Sequence, residues 1–273
     1  MEVAKSKSPG FGVRALFGGR KKRKAGEKGK AEYTGETPGF EDREAAEMRL
    51  AMTAANIQNN FVVDEDSGPG QSMRFLDESD PRSGAFIEDV LLTDTYGAGG
   101  EDARSTSTAW SAATTSAHVR GFLGANSNQE AKEMGFRPYG AHRLYMNDAF
   151  KTKSLKKDET YEYDAYEAKR LIGKTVDELR AGDLLFRGYN DSNSDADFRN
   201  TQDWKFGQFK RSGEKGEKYT SHTDIIVATG VDQQGRKYYD IAGGNVRGKE
   251  YMLERIYPEE IRDTYKGAMI SKK

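Results

Sequence analysis

Apolar positions are sparse and unpatterned as far as residue 40, recur at helical spacing just beyond it, and gather later into short runs of helix and strand length. Residues 1–40 are rich in Gly, Ser, Lys and Glu, a composition that predicts an arm without regular structure. From Glu41 to about Ile57, Met48, Met52 and Ala55 recur with a helical period among Glu44, Glu47 and Arg49, predicting an amphipathic helix. Its apolar face lacks large aliphatic side chains, so it is expected to dock on a partner or on the main domain rather than stand alone. Asp64 to Gly70 reads as a linker that closes this 41–70 segment, because acidic residues and turn formers have nothing to bury. The main domain is expected over 71–265, followed by a short tail at 266–273.

Within that domain, Ala85 to Leu92 fits a helix stopped near Tyr96–Gly100. Ser105 to Thr108 offer N-caps for a helix from about Ala109 to Phe122. Thr175 to Arg180 reads as a short helix, and Gly182 to Phe186 leads into a buried strand. Residues 187–220 read as a long polar loop in which Trp204, Phe206 and Phe209 are interleaved. His222 to Thr229 and Lys237 to Ala242 are β-rich and flank the turn Asp232-Gln233-Gln234-Gly235. A turn centred there brings His222 opposite Asn245, with Cβ atoms about 4.5–5.5 Å apart. Met252, Leu253 and Ile256 predict one more strand. These elements make an α+β fold.

Composition narrows the function classes. The hydrophobic fraction of 35%, supplemented by 30 glycines, supports a packed core, while 32% charged residues predict a strongly polar surface. Cysteine is absent, which excludes disulfides, thiolate metal sites and a thiol nucleophile. No apolar run nears the roughly 20 residues that span a bilayer, and the first residues lack the apolar core of a signal peptide. A cytoplasmic or virion-associated life is therefore compatible with the sequence. Residues 1–30 carry ten Lys or Arg against two Glu, whereas the remainder carries 33 basic against 42 acidic residues. Such an arm suits nucleic acid, an acidic surface of a partner protein or anionic lipid, or is simply a solvated tail.

The candidate chemistry lies in Trp110-Ser111-Ala112, Ser221-His222-Thr223-Asp224 and Gly243-Gly244-Asn245. A serine hydroxyl needs a base as attack proceeds, and the helix dipole favours negative charge at Ser111 in a first turn. His222 is the candidate base and Asn245 its orienter. Asp224, on the same strand face as His222, competes for the orienting role or for substrate. Gly243 and Gly244 leave room for a substrate backbone or form a bulge. His142 and Tyr145, three residues apart, share one face of a helical turn and are candidates to line the cleft with Trp110. His118 lies two turns beyond Ser111, roughly 10 Å along the axis, too far to serve it. No compact zinc-ligand spacing occurs, and no metal or cofactor is expected.

The ordered set Trp110-Ser111-Ala112, Ala141-His142-Arg143-Leu144-Tyr145, Gly182-Asp183-Leu184, His222-Thr223-Asp224-Ile225-Ile226-Val227 and Gly243-Gly244-Asn245-Val246 resembles a bacterial and phage branch of the papain-like NlpC and CHAP superfamily of cell-wall peptidases and amidases. The resemblance covers roughly residues 85–260. It implies a nucleophile at the start of a helix packed on a small antiparallel sheet, with a His and a polar residue on adjacent strands. Ser111, His222 and Asn245 fall on those positions, with Ser111 where better-known members carry Cys. The resemblance implies a peptidoglycan substrate and a hydrolase, or alternatively a virion component that retains the fold without catalysis.

Overall fold

The computed structural model describes residues 43–65, 72–76, 79–92, 95, 110–151, 165–188, 205–246 and 250–272. The chain divides into Met1–Gly39 and Phe40–Lys273, and every described residue belongs to the second unit. The basic arm, the stop at Tyr96–Gly100, the caps at Ser105–Thr108 and Trp204 fall outside the described residues.

The architecture is α+β. Its centre is a six-stranded antiparallel sheet built from β3 (Tyr166–Arg170), β4 (Leu184–Gly188), β5 (Ser221–Val231), β6 (Lys237–Val246), β7 (Glu250–Ile256) and β8 (Gly267–Ser271). The strand order is β3-β8-β4-β5-β6-β7. Residues 266–273, expected as a tail, therefore supply a strand that pairs with both β3 and β4. A separate two-stranded ladder joins β1 (Val62–Glu65) and β2 (Ser72–Phe75), so the expected linker at 64–70 begins inside a strand.

Side-chain alternation sorts the sheet into two faces. Leu184, Phe186, Ile225, Val227, Ala242 and Met269 join one core cluster, whereas Leu185, Ile226, Tyr239, Ile241 and Ala268 join the other. Against the first face pack α1 (Arg43–Gln58), α3 (Ser111–Leu123), α5 (His142–Lys151) and α7 (Phe206–Lys215). The second face is covered by α6 (Lys174–Asp177) and α8 (Pro258–Thr264) through Val176 and Ile261. Both faces of β5 are thus buried from Ser221 to Val227, including the polar side chains of Ser221, His222, Thr223 and Asp224.

The helix at 43–58 packs on α3, but with a different face from the one its methionines mark. Ala46, Leu50, Ala54 and Ile57 are buried, whereas Met48 and Met52 are 61% and 58% exposed. Small side chains decide this: alanines on α1, and Gly121 of α3 facing Thr53 of α1, let the two backbones approach closely. The run at 85–92 is helical as expected, as α2 (Pro81–Phe86) continuing into a π-helical segment at Ile87–Leu92. Phe206–Lys215, expected inside a long loop, form α7, whose Phe206 and Phe209 pack on Phe186 of β4. A short helix, α4 (Asn128–Glu133), follows α3 and is capped by the Ser127 hydroxyl.

The hairpin between β5 and β6 turns where the sequence places it. Asp232 accepts the backbone amides of Gln234 and Arg236, and Gly235 takes φ 77°, a conformation that costs other residues steric strain. Ile225↔Ala242 and Ile226↔Ile241 share the register expected from the turn, and a bulge between Ile226 and Ala228 shifts the outer pairs by one. The described pairs end at Ile225↔Ala242, so His222 opposite Asn245 is not among them. On the other side, β6 is irregular against β7 between Gly243 and Val246.

Candidate functional site

Ser111 is the first residue of α3, preceded by Trp110, which provides no side-chain cap to the helix. Trp110 is 1% exposed and stacks on Phe61, with ring centroids 5.1 Å apart. Phe61 in turn stacks on Tyr251 of β7. The turn after α1 and strand β7 therefore clamp the start of α3 and fix where Ser111 sits. Thr115, one turn on, ties this helix to the sheet by donating to the Ser111 and Thr223 carbonyls, each at 3.2 Å.

The partner of Ser111 is His142, not His222. Ser111 Oγ lies 2.7 Å from His142 Nε2 across the junction of α3 and α5. His142 Nδ1 meets Thr223 Oγ1 at 2.6 Å and the Tyr145 hydroxyl, and those two hydroxyls also meet each other. With the proton on Nδ1 directed at these oxygens, Nε2 is an acceptor for the Ser111 O–H, as a general base must be. The helical face shared by His142 and Tyr145 was legible in the sequence. Thr223 was missed as a partner, although strand alternation points it away from His222 and Asp224, toward α3 and α5.

His222 belongs to a second buried group. Its Nε2 lies 2.9 Å from Asp224 Oδ1, while Asp224 Oδ2 accepts the Tyr265 hydroxyl at 2.6 Å and lies 3.7 Å from Arg187 Nη2. Arg187 is the cross-strand neighbour of His222, and its guanidinium sits over the Tyr265 ring at 5.4 Å. The two groups touch through the imidazoles: the rings of His142 and His222 are 4.9 Å apart at 60°.

The electrostatics follow from burial. Desolvation pulls the proton affinity of His142 well below the ordinary imidazole value; His222 and Arg187 push the same way, and Asp224 opposes them. Burial alone would raise Asp224, but His222, Arg187 and the Tyr265 hydroxyl outweigh it and hold the carboxyl well below the usual range. Burial raises the Tyr145 phenol, which stays neutral and able to donate.

The remaining sequence candidates occupy different places. Trp110 is a core anchor rather than a cleft residue, because its ring is enclosed by Phe61 and Gly244 near the end of β6. Gly244 makes room for Thr114 and Trp110, so the space it leaves is already filled by this chain's own side chains. Gly243 is buried and pairs with Met252. Asn245 lies in β6, but its side chain is outside the described residues. Tyr145 and Asp224 are buried contacts of the two histidines rather than an open surface. His118 is buried elsewhere, between the Thr114 carbonyl and the Tyr251 hydroxyl. Among the described residues no group of three His, Asp or Glu side chains is placed to hold a metal ion. No described helix is long and apolar enough to cross a membrane.

Comparison with family models, curated proteins and solved structures yielded no match to this chain.

Proposed function

We propose that the domain is a serine amidohydrolase of papain-like NlpC/CHAP type that cleaves an amide bond in peptidoglycan stem peptides. The observation that carries this reading is the 2.7 Å contact between Ser111 Oγ and His142 Nε2 at the start of α3. In the first step Ser111 Oγ attacks the amide carbonyl as its proton passes to His142 Nε2. Backbone N–H groups of the first helical turn are directed at the developing oxyanion. His142 then returns its proton to the leaving amine as the C–N bond breaks, leaving an acyl-serine. Water attacks that ester, gives a proton to His142, and the Ser111 oxygen leaves and is reprotonated. Thr223 and Tyr145 orient His142 throughout. His222, the base expected from the sequence, takes a supporting place, and the substrate class rests on the motif resemblance.

The test is mass spectrometry of purified sacculi incubated with the full chain, its Ser111→Ala variant and its His142→Ala variant. New muropeptides from the wild type alone support the reading; identical blank profiles reject this substrate. A second reading has its own support, because Ser111 and His142 are only 5% and 6% exposed and their polar atoms are already bonded to each other. In that reading the domain is a non-catalytic structural or wall-binding component, such as a virion protein. It predicts binding to sacculi with no released fragment, and a loss of thermal stability in Ser111→Ala as the main effect of that change.

A further inference from the structure

The groups that touch His142 Nδ1 are hydroxyls and carry no charge. An imidazolium formed when Ser111 loses its proton is then buried beside dipoles alone, a costly state. The negative charge felt at His142 belongs to Asp224, one imidazole away. Alternation along β5 explains the distance: Thr223 faces α3 and α5, whereas Asp224 faces Tyr265 on the other side of the sheet. His222, at the start of the strand, bridges the two sides, bonded to Asp224 at 2.9 Å and packed against His142 at 4.9 Å.

Building on the reading of Ser111 and His142 as nucleophile and base, we propose that Asp224, held through His222, is the positioning carboxylate of this site and steadies the His142 imidazolium. His222 is the spacer, bonded to the carboxylate on one side and packed against His142 on the other. The charged and titratable groups around His142 are Tyr145 on α5, His222 and Asp224 on β5 and Arg187 on β4, with Tyr265 beyond them on Asp224. Both tyrosines are held neutral by burial, which leaves His222, Asp224 and Arg187 to set the field.

The chain has three histidines, so nitrogen-15 NMR of the full-length protein follows each imidazole directly, whether or not the protein turns over a substrate. His222→Gln keeps a donor for Asp224 and removes the neighbouring imidazole that lowers the proton affinity of His142, and the His142 midpoint should rise. Asp224→Asn should lower that midpoint by a comparable amount and slow labelling of Ser111 by a fluorophosphonate at least tenfold, with an altered pH profile. Should Asp224→Asn fail to fold, Tyr265→Phe, which removes only the hydroxyl bonded to Asp224, tests the carboxylate instead and should also move the His142 midpoint. A His142 midpoint unmoved in the folded variants overturns the proposal. A wild type that fluorophosphonate never labels overturns the serine-hydrolase reading instead, and the two failures are read from separate signals.

Discussion

Replacing Gly244 with Ala separates a packing role for this glycine from the substrate-admitting role its sequence context allows. A Cβ at this position would lie 2.5 Å from Thr114 Oγ1, 2.6 Å from Trp110 Cζ3 and 2.9 Å from Thr114 Cβ. None of these atoms ends a flexible side chain. Thr114 is β-branched, fully buried and bonded through Oγ1 to the Trp110 carbonyl, and Trp110 is stacked on Phe61. Relief requires β6 to retreat from α3 or Trp110 to leave its stack, and overpacking of this kind costs about 1–3 kcal/mol. For a domain of this size each kcal/mol lowers Tm by about 2–4 °C, so scanning calorimetry should show a fall of roughly 2–12 °C. Because the same contact fixes the first turn of α3, any Ser111 labelling should fall with it. Adding Trp110→Phe should recover part of the loss relative to the sum of the single variants, since the two side chains share one space. A Tm within a degree of wild type, with only ligand binding impaired, would refute this packing argument.

Three further outcomes are expected. Asp183 is buried and its pKa is pushed up to about 6 by desolvation, against the backbone amides of Ser271 and Arg180. The folded state thus holds a proton that the unfolded state has released, and stability from this group is complete below about pH 4 and lost as pH rises through 6, on the order of 3 kcal/mol. His118, brought down to about 4 by burial, acts in the opposite sense over the same range, its stability present above about pH 6.5 and lost as pH falls through 4. The difference in urea stability between wild type and Asp183→Asn, measured from pH 4 to 7, isolates the first contribution; a pH-independent difference contradicts it. Leu50→Ala should destabilise by about 2–5 kcal/mol, whereas Met48→Ala should stay within about 0.5 kcal/mol. The reverse order in denaturant unfolding would mean that α1 buries its methionine face. Deleting residues 266–273 should abolish cooperative unfolding, because Ala268 and Met269 of β8 are buried between β3 and β4; a cooperative transition at the wild-type midpoint would contradict that.

The parts of this protein legible from sequence are those set by short-range physics. Asp232-Gln233-Gln234-Gly235 specifies the hairpin because local amide bonds and a positive φ at Gly235 suffice. The start of a helix near Ser111 and the common face of His142 and Tyr145 follow from local pattern and helical geometry alone. The α+β character follows from the mixture of periods. What failed in the reading depended on partners distant in sequence. Met48 and Met52 outweigh alanine on any hydrophobicity scale, but the buried face of α1 was chosen by how closely it can approach α3, which favours Ala46 and Ala54. Residues 267–271, Gly-Ala-Met-Ile-Ser, are a short stretch just before the terminal lysines, and only the gap between β3 and β4 makes them a strand.

The site divides in the same way. From the sequence alone came its chemical ingredients: a serine at a helix start, histidines at 142 and 222, a carboxylate at 224, and no thiol. Which histidine meets Ser111 was beyond it, because that depends on how α5 is laid against α3 and on which side of β5 each residue faces. The tertiary structure gave Ser111 to His142 and left His222 with Asp224. Sequence sets the period with which side chains point in or out, but only the packing of whole elements decides which of them meet.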